Sequence, residues 1–210
     1  EHFAQLARQA ADGLGYDVQL NPISDLQQVQ SIAALVAAVR ADIASVSSAD
    51  EAAGRSVFVH AAYERAQQAY ARARAAAAAA PGDQTSQALV LQIGQIIGVL
   101  DGSVTAVDGV ALMTKAIATK GKSLFDEITA QKGTVVAAYQ GLATSTRIST
   151  ALDMFEQINQ TGERSAYLTQ QAATLLAAYP NDTTVRYYVS KVNEIAAAVS
   201  QMSAQAETLM

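Results

Sequence analysis

Apolar residues that recur at alternating intervals of three and four positions constrain the fold of this 210-residue chain more than any other feature. Such spacing places every member of a series on one stripe of an α-helix, because one turn contains 3.6 residues. A half-buried β-strand would instead alternate apolar and polar side chains at every second position. The longest uninterrupted series predicts one helix near the end of the printed sequence: Val185, Tyr188, Val192, Ile195, Val199, Met202, Ala206 and Leu209.

Four earlier segments carry apolar series of the same kind, which we call seams. The first is entirely β-branched, the second is almost entirely alanine, and the fourth slips in phase past Gly162. In chain order the seams are Val29, Ile32, Val36, Val39, Ile43 and Val46; Val59, Ala62, Ala66, Ala69, Ala73, Ala76 and Ala80; Val90, Ile93, Ile97, Leu100, Val104, Val107 and Ala111; and Ile148, Leu152 and Phe155, followed by Leu168, Ala172, Leu175 and Tyr179.

Turn and capping signals separate the seams and set the predicted topology. Ser48 and Glu51 form a capping box, and residues 81–83, 120–123 and 179–183 are typical of turns. Short turns make successive helices antiparallel neighbours. The sequence therefore predicts an all-α protein, an elongated up-and-down antiparallel helical bundle with coiled-coil-like heptad seams.

The predicted domain organisation is simple. Residues 1–23 are expected to form a short N-terminal helix and a connector, and residues 24–210 a single elongated bundle. The expected helices cover about residues 25–46, 49–80, 85–119, 124–139, 145–179 with a kink near 162, and 182–209.

The segment 88–117 admits more than one structure. Four glycines interrupt its apolar run and would share one side of a helix: Gly94, Gly98, Gly102 and Gly109. Asp101 followed by glycine between β-branched runs is also a strong β-hairpin signal. Adjacent pairs such as Ile96-Ile97 break the alternation that strands need, whereas the seam through Ile97 and Val104 keeps helical spacing. We therefore favour a helix over the hairpin.

The four glycines would leave one side of this helix without side chains, whereas its seam consists of bulky apolar residues. A flat side suits close approach of another backbone, and the alanine seam of the preceding helix is the expected neighbour. The four glycines, with Ile97 and Val104, are thus a candidate close-packing segment.

GxxxG spacing in an apolar segment is also typical of transmembrane helix pairs. Gln92, Gln95, Asp101 and Asp108 interrupt this run, and each aspartate at mid-membrane would cost about 2.5–3.5 kcal/mol. A resting membrane-spanning helix is therefore not expected. Insertion of this segment into a membrane after a conformational change, as in helical pore-forming toxins, stays open as an alternative.

Several chemistries lack the residues that they need. The chain has no cysteine and only two histidines, and it contains no Glu-x-x-His, His-Glu-x-x-His, Walker or Gly-x-Gly-x-x-Gly motif. A formal net charge of −5 argues against a nucleic-acid partner, which would require a basic surface. We expect no catalytic residues, no metal site and no cofactor.

A polar and aromatic face on the alanine helix is a candidate partner-binding surface. It consists of His60, Tyr63, Gln67, Tyr70 and Arg74. Tyrosine and arginine are enriched at binding hot spots. The alternative, which we favour, is the solvated side of an amphipathic helix whose tyrosines keep their hydroxyls in water.

These features predict a non-enzymatic scaffold or interaction protein that presents helix faces to a protein partner or to copies of itself. Low lysine with high alanine, threonine, glutamine and serine resembles the composition of exported bacterial proteins, so an extracytoplasmic location, secreted or periplasmic, is expected. The alternative function is a membrane-active or hydrophobe-binding helical protein that uses the segment 88–117.

Overall fold

A computed structural model describes residues 22–210 of the chain. Within this range the chain forms five α-helices and no β-strand, so the predicted all-α bundle is confirmed. The helices are α1 (Pro22–Ala41), α2 (Ala49–Ala79), α3 (Gln84–Thr144), α4 (Ile148–Ala178) and α5 (Thr183–Glu207), with a short 3-10 helix at Ile43–Ser45. The helix and connector predicted within 1–23 lie outside the described residues, except that Pro22 and Ile23 begin α1.

The starts of α1 and α2 follow from their first residues. Proline at the start of α1 is favourable because its missing N–H would have no partner in the first helical turn. At the start of α2, the Ser48 hydroxyl accepts a hydrogen bond from the Glu51 backbone N–H at 3.2 Å, as the capping box predicts. The Glu51 carboxylate accepts from the backbone N–H of Ser47 at 3.0 Å. Helix α1 ends at Ala41, five residues before the predicted end at 46, because a 3-10 turn replaces its last part.

Helix α3 is continuous where two helices were predicted. The predicted break at 120–123 is absent, and so is the β-hairpin at Asp101-Gly102. Gly121 is buried, and a Cβ atom built on it would lie 3.2 Å from Cδ2 of Tyr188 on α5. The low helix propensity of glycine alone predicts that the helix ends here. Close packing against the Tyr188 ring instead requires glycine at this position, and the helix continues.

Helix α4 also continues through the predicted interruption at 159–163. Its buried stripe keeps the three-four spacing without a slip: Ile158, Thr161, Ser165, Leu168, Ala172 and Leu175. Thr161 tolerates burial because its hydroxyl donates to the Gln157 carbonyl at 2.7 Å. Ile148 and Leu152, which the sequence placed on the seam, are instead exposed, at 81% and 52%.

The described residues fall into two compact units, with the division between residues 113 and 114, and the predicted single bundle over 24–210 stays a prediction. The described part of the first unit contains α1, α2 and the beginning of α3, and the second contains the remainder of α3 with α4 and α5. Helix α2 is antiparallel to α1, because Arg72 pairs with Asp25 at 2.8 Å and Arg55 pairs with Asp42 at 3.0 Å.

The core of the first unit combines bulky and small seams. Alanines of α2 lie among β-branched and leucine side chains of α1 and α3. Its buried members are Val29, Ile32, Val36, Val39, Val59, Ala66, Ala69, Ala73, Ile93, Ile97, Leu100, Val104 and Val107. The second unit has two apolar clusters, one including Ile128, Leu168 and Val192 and the other including Leu142, Ile158 and Ala206.

Candidate functional site

The polar face of α2 lies beside α3, with Tyr63, Gln67 and Tyr70 half-buried and His60 and Arg74 exposed. Asp108 of α3 accepts a hydrogen bond from the Ser56 hydroxyl at 2.6 Å and pairs with His60 Nε2 at 2.9 Å. Farther along both helices, the Tyr63 hydroxyl donates to the Asp101 carboxylate at 3.4 Å, and Gln67 donates to that hydroxyl at 2.8 Å. Because His60 contacts Asp108 while Tyr63, later in α2, contacts Asp101, earlier in α3, the two helices are antiparallel.

The polar face of α2 also accounts for the presence of glycine at position 94 of α3. A Cβ atom built on Gly94 would lie 3.1 Å from the Tyr70 hydroxyl, and the Arg74 guanidinium lies 5.8 Å from the centre of the Tyr70 ring. Gly94 therefore makes room for an aromatic side chain of α2. Residues proposed as a partner-binding face thus also contact α3, and partner binding by this face stays a prediction.

The other three glycines face open space. A Cβ atom built on Gly98, Gly102 or Gly109 would meet no atom of the described residues 22–210 within 4 Å. The expected packing of these glycines against the alanine seam is therefore wrong. That seam instead contacts the bulky stripe of α3, to which Ile97 and Val104 belong, each 8% exposed.

Large apolar side chains surround the three open glycines. Leu91, Val99, Leu112 and Met113 are exposed at 70%, 66%, 70% and 51%. Seven residues on one side of α3 thus form what we call the glycine face: Leu91, Gly98, Val99, Gly102, Gly109, Leu112 and Met113. It was missed as a surface because the sequence does not show which side of α3 its neighbours cover.

None of the seven residues of the glycine face is charged, but the exposed polar residues Gln95 and Thr105 lie among them and exposed Asp101 lies at their edge. From Gln84 to Thr114 the only charged residues are Asp101 and Asp108, and both contact side chains of α2. Of the helices in residues 22–210, only α3 is long and apolar enough to cross a membrane, with a mean hydropathy of 1.6 over its most apolar 18-residue window. Only 28% of that window is buried, so most of it faces outward.

A groove and the distribution of possible metal ligands are the other features of the described range that bear on chemistry. A groove of about 400 Å³ lies between α4 and α5, lined by small residues that include Gly162, Ser165, Thr169 and Ser203. Within residues 22–210 there is no group of three or more histidine, cysteine, aspartate or glutamate side chains that could hold a metal ion. The glycine face is therefore the surface with the clearest functional character.

Acid is expected to weaken the contact between α2 and α3 at Asp108. The Ser56 hydroxyl, and then His60, hold the pKa of the Asp108 carboxyl below its ordinary value of 3.8. A pKa that is lower in the folded than in the unfolded state means that the ionised carboxylate stabilises the fold above about pH 3.8. This contribution is lost as the pH falls through the lowered folded pKa. Asp108→Asn should therefore destabilise the protein near neutral pH, by up to about 1 kcal/mol, and have less effect in acid.

Thermal unfolding midpoints of the wild type and Asp108→Asn, measured from neutral pH to below pH 3, test this expectation. Asp101→Asn is the matched control, because it removes the same charge from the same helix but loses only the 3.4 Å contact with Tyr63. Equal pH profiles for the two variants would contradict the assignment to Asp108.

Comparison with known proteins gives no relative. No family model matches the chain, and neither the curated proteins nor the solved structures searched contain a similar one.

Proposed function

We propose that this protein is a non-enzymatic interaction protein that presents the glycine face of α3 to a protein partner or to a second copy of itself. The observation that carries the proposal is a set of exposed large apolar side chains around three glycines that contact no other described part of the fold. Contiguous exposed apolar patches of this kind mark binding surfaces more often than chance exposure of single side chains.

The energetic cost of the glycines supports an external partner. Each glycine in a helix interior costs about 0.5–1 kcal/mol relative to alanine, or about 1.5–3 kcal/mol for three. Gly98, Gly102 and Gly109 receive no compensating contact from the described part of the fold. A helix that approaches from outside could use the missing Cβ atoms, because its backbone could come closer there than at any other residue.

The proposed location is extracytoplasmic, and it rests on the amino-acid composition, which resembles that of exported bacterial proteins. The proposal that the protein is not an enzyme rests on the absent sequence motifs together with the apolar, chemically inert character of the glycine face. Leucine, valine, methionine and glycine provide shape and apolar area, but no general acid, general base or nucleophile.

Photo-crosslinking in the cells that produce this protein tests the proposal. A photoreactive side chain is placed at Val99 on the glycine face or, as a matched control, at Val57 on α2. The two residues have nearly equal exposure, 66% and 69%. Protein adducts of defined mass at position 99, and not at position 57, would support the proposal. An equal yield of protein adducts at both positions would overturn it.

The second candidate is a membrane-active or hydrophobe-binding protein, and the hydropathy and exposure of α3 favour it. Dye release from liposomes by the wild type and by Val99→Asp tests this function. Val99 suits this substitution because its side chain is exposed, so aspartate there should leave the fold intact. Release by the wild type that the substitution abolishes, with helicity unchanged, would support this candidate. Absence of release at neutral and acid pH would exclude it.

A further inference from the structure

We propose that the groove between α4 and α5 binds a small, uncharged molecule that combines a hydroxyl group with an apolar body. This site goes beyond the proposed function, because its residues belong to the second unit whereas the glycine face belongs to the first. The inference follows from a buried hydroxyl without a partner, from the size of the groove and from the chemistry of its walls.

The hydroxyl of Ser165 is the observation that indicates a ligand. Ser165 lines the groove and is only 3% exposed. A serine inside a helix commonly donates to the main-chain carbonyl four residues earlier, as the equally buried Ser103 does to Val99 at 3.1 Å. The hydroxyl of Ser165 forms no hydrogen bond with any part of the chain that the structure describes, and only its carbonyl is engaged, by Thr169.

The oxygen of this hydroxyl is open to the groove. Although Ser165 is buried as a residue, its hydroxyl oxygen is not fully enclosed by other atoms of residues 22–210. The groove is the open space that Ser165 borders. Because buried polar groups are nearly always hydrogen-bonded, the partner of this hydroxyl is expected to come from outside the fold.

Small residues on both helices create a groove of the size that suits a small molecule. Gly162 and Ala166 line it on α4, and Ala196 and Ser200 line it on α5. Its volume of about 400 Å³ lies at the lower end of the range of roughly 300–1,000 Å³ that is usual for ligand sites. An α-helix of about 10 Å diameter would fill this volume with roughly one turn, so the groove is too small to seat a partner helix along its length.

The walls of the groove select an uncharged ligand with an apolar body. No ionisable side chain lines it among the described residues, so an ion would lose hydration there without gaining an opposite charge. The methyl groups of Ala166, Ala196 and Val199 instead offer apolar contact.

The four hydroxyls of the groove favour an alcohol. Those of Ser165 and Ser200 donate to no residue of the described helices and are available as donors to a ligand. Those of Thr169 and Ser203 already donate to main-chain carbonyls, at 2.9 Å to Ser165 and 3.1 Å to Val199, so their oxygens remain as acceptors. A ligand hydroxyl, which both donates and accepts, can use both kinds of group.

Titration of the protein with cyclohexanol, followed by the backbone amide signals in NMR spectra, tests the inference. Cyclohexanol is an uncharged ring alcohol small enough for the groove. We expect saturable shifts at residues 162–169 and 196–203, with a dissociation constant on the order of 1–10 mM. Cyclohexanecarboxylate at neutral pH is the matched charged probe, and it should bind at least about tenfold more weakly.

Ser165→Ala separates ligand binding from a structural role. Loss of one hydrogen bond to the ligand should weaken cyclohexanol binding by about three- to tenfold. The thermal unfolding midpoint should not fall, because the substitution removes no hydrogen bond of the described fold. Ser103→Ala is the matched control, since Ser103 is equally buried but does not line the groove, and it should leave binding unchanged.

Ser200→Leu provides a second variant. Ser200 is exposed and lines the groove, so leucine should occupy the binding space and abolish the shifts without disturbing the core. Circular dichroism checks that the helices of the variant are intact.

Four results would overturn the inference. The wild type shows no saturable shifts in the two segments at concentrations well above the expected range. The largest shifts lie outside these segments. The carboxylate binds as tightly as the alcohol. Folded Ser165→Ala and Ser200→Leu both bind cyclohexanol as the wild type does.

Discussion

Leu100→Ala is expected to lower the free energy of unfolding of the first unit by about 3 kcal/mol. Leu100 is 1% exposed and belongs to the core cluster of α1, α2 and α3. Alanine there removes apolar contact area and leaves a cavity. The neighbouring alanines of α2 are too short to fill that space, so little relaxation is expected. Urea denaturation followed by circular dichroism measures the change.

Leu91→Ala is the matched control for this prediction. Leu91 is on the same helix but 70% exposed on the glycine face, so its truncation should change the stability of the monomer by less than about 0.5 kcal/mol. If the two substitutions have equal effects, α3 does not bury the side that the structure assigns to the core.

Replacing Gly98, Gly102 and Gly109 together by alanine is expected to raise the free energy of unfolding of the monomer by about 1.5–3 kcal/mol. Alanine restricts the unfolded chain and favours the helix. None of the three new Cβ atoms would lie within 4 Å of another atom in the part of the chain that the structure describes. Thermal or urea unfolding at low protein concentration isolates this effect from self-association.

Gly94→Ala provides the contrast within the same helix. Its new Cβ atom would lie 3.1 Å from the Tyr70 hydroxyl, so the gain in helix propensity should be reduced or reversed by displacement of that side chain. A triple variant that is less stable than the wild type would show that these three positions are covered in the folded monomer.

The periodicity of apolar residues was sufficient to predict the fold class and most helix ends. The predicted 49–80 corresponds to Ala49–Ala79, and the predicted 182–209 to Thr183–Glu207. Such signals are local, because capping residues and turns act within a few positions. The predicted break at 120–123 failed because the contact between Gly121 and Tyr188 joins residues far apart in sequence.

The site was only partly predictable for the same reason. The sequence identified the flat, glycine-containing side of α3 but assigned it the wrong neighbour. It identified the polar face of α2 but not Asp101 and Asp108 opposite it. Both errors come from the alignment of two antiparallel helices, which depends on how their side chains fit and not on the pattern of either helix alone.

The contact of Ser56 and His60 with Asp108 has a consequence for folding. Alanine recurs so regularly along α2 that a shift by seven residues would present nearly the same surface to its neighbours. Such a shift in one direction would replace Arg72 by Ala79 and leave the buried Asp25 without its partner. In the other direction Arg65 would take the place of Arg72, but Ala49 and Ala53 would replace Ser56 and His60 beside Asp108. These polar contacts therefore select one alignment among several that have similar apolar contact. Without them, we expect the polypeptide to become trapped in misaligned packings on its way to the native state.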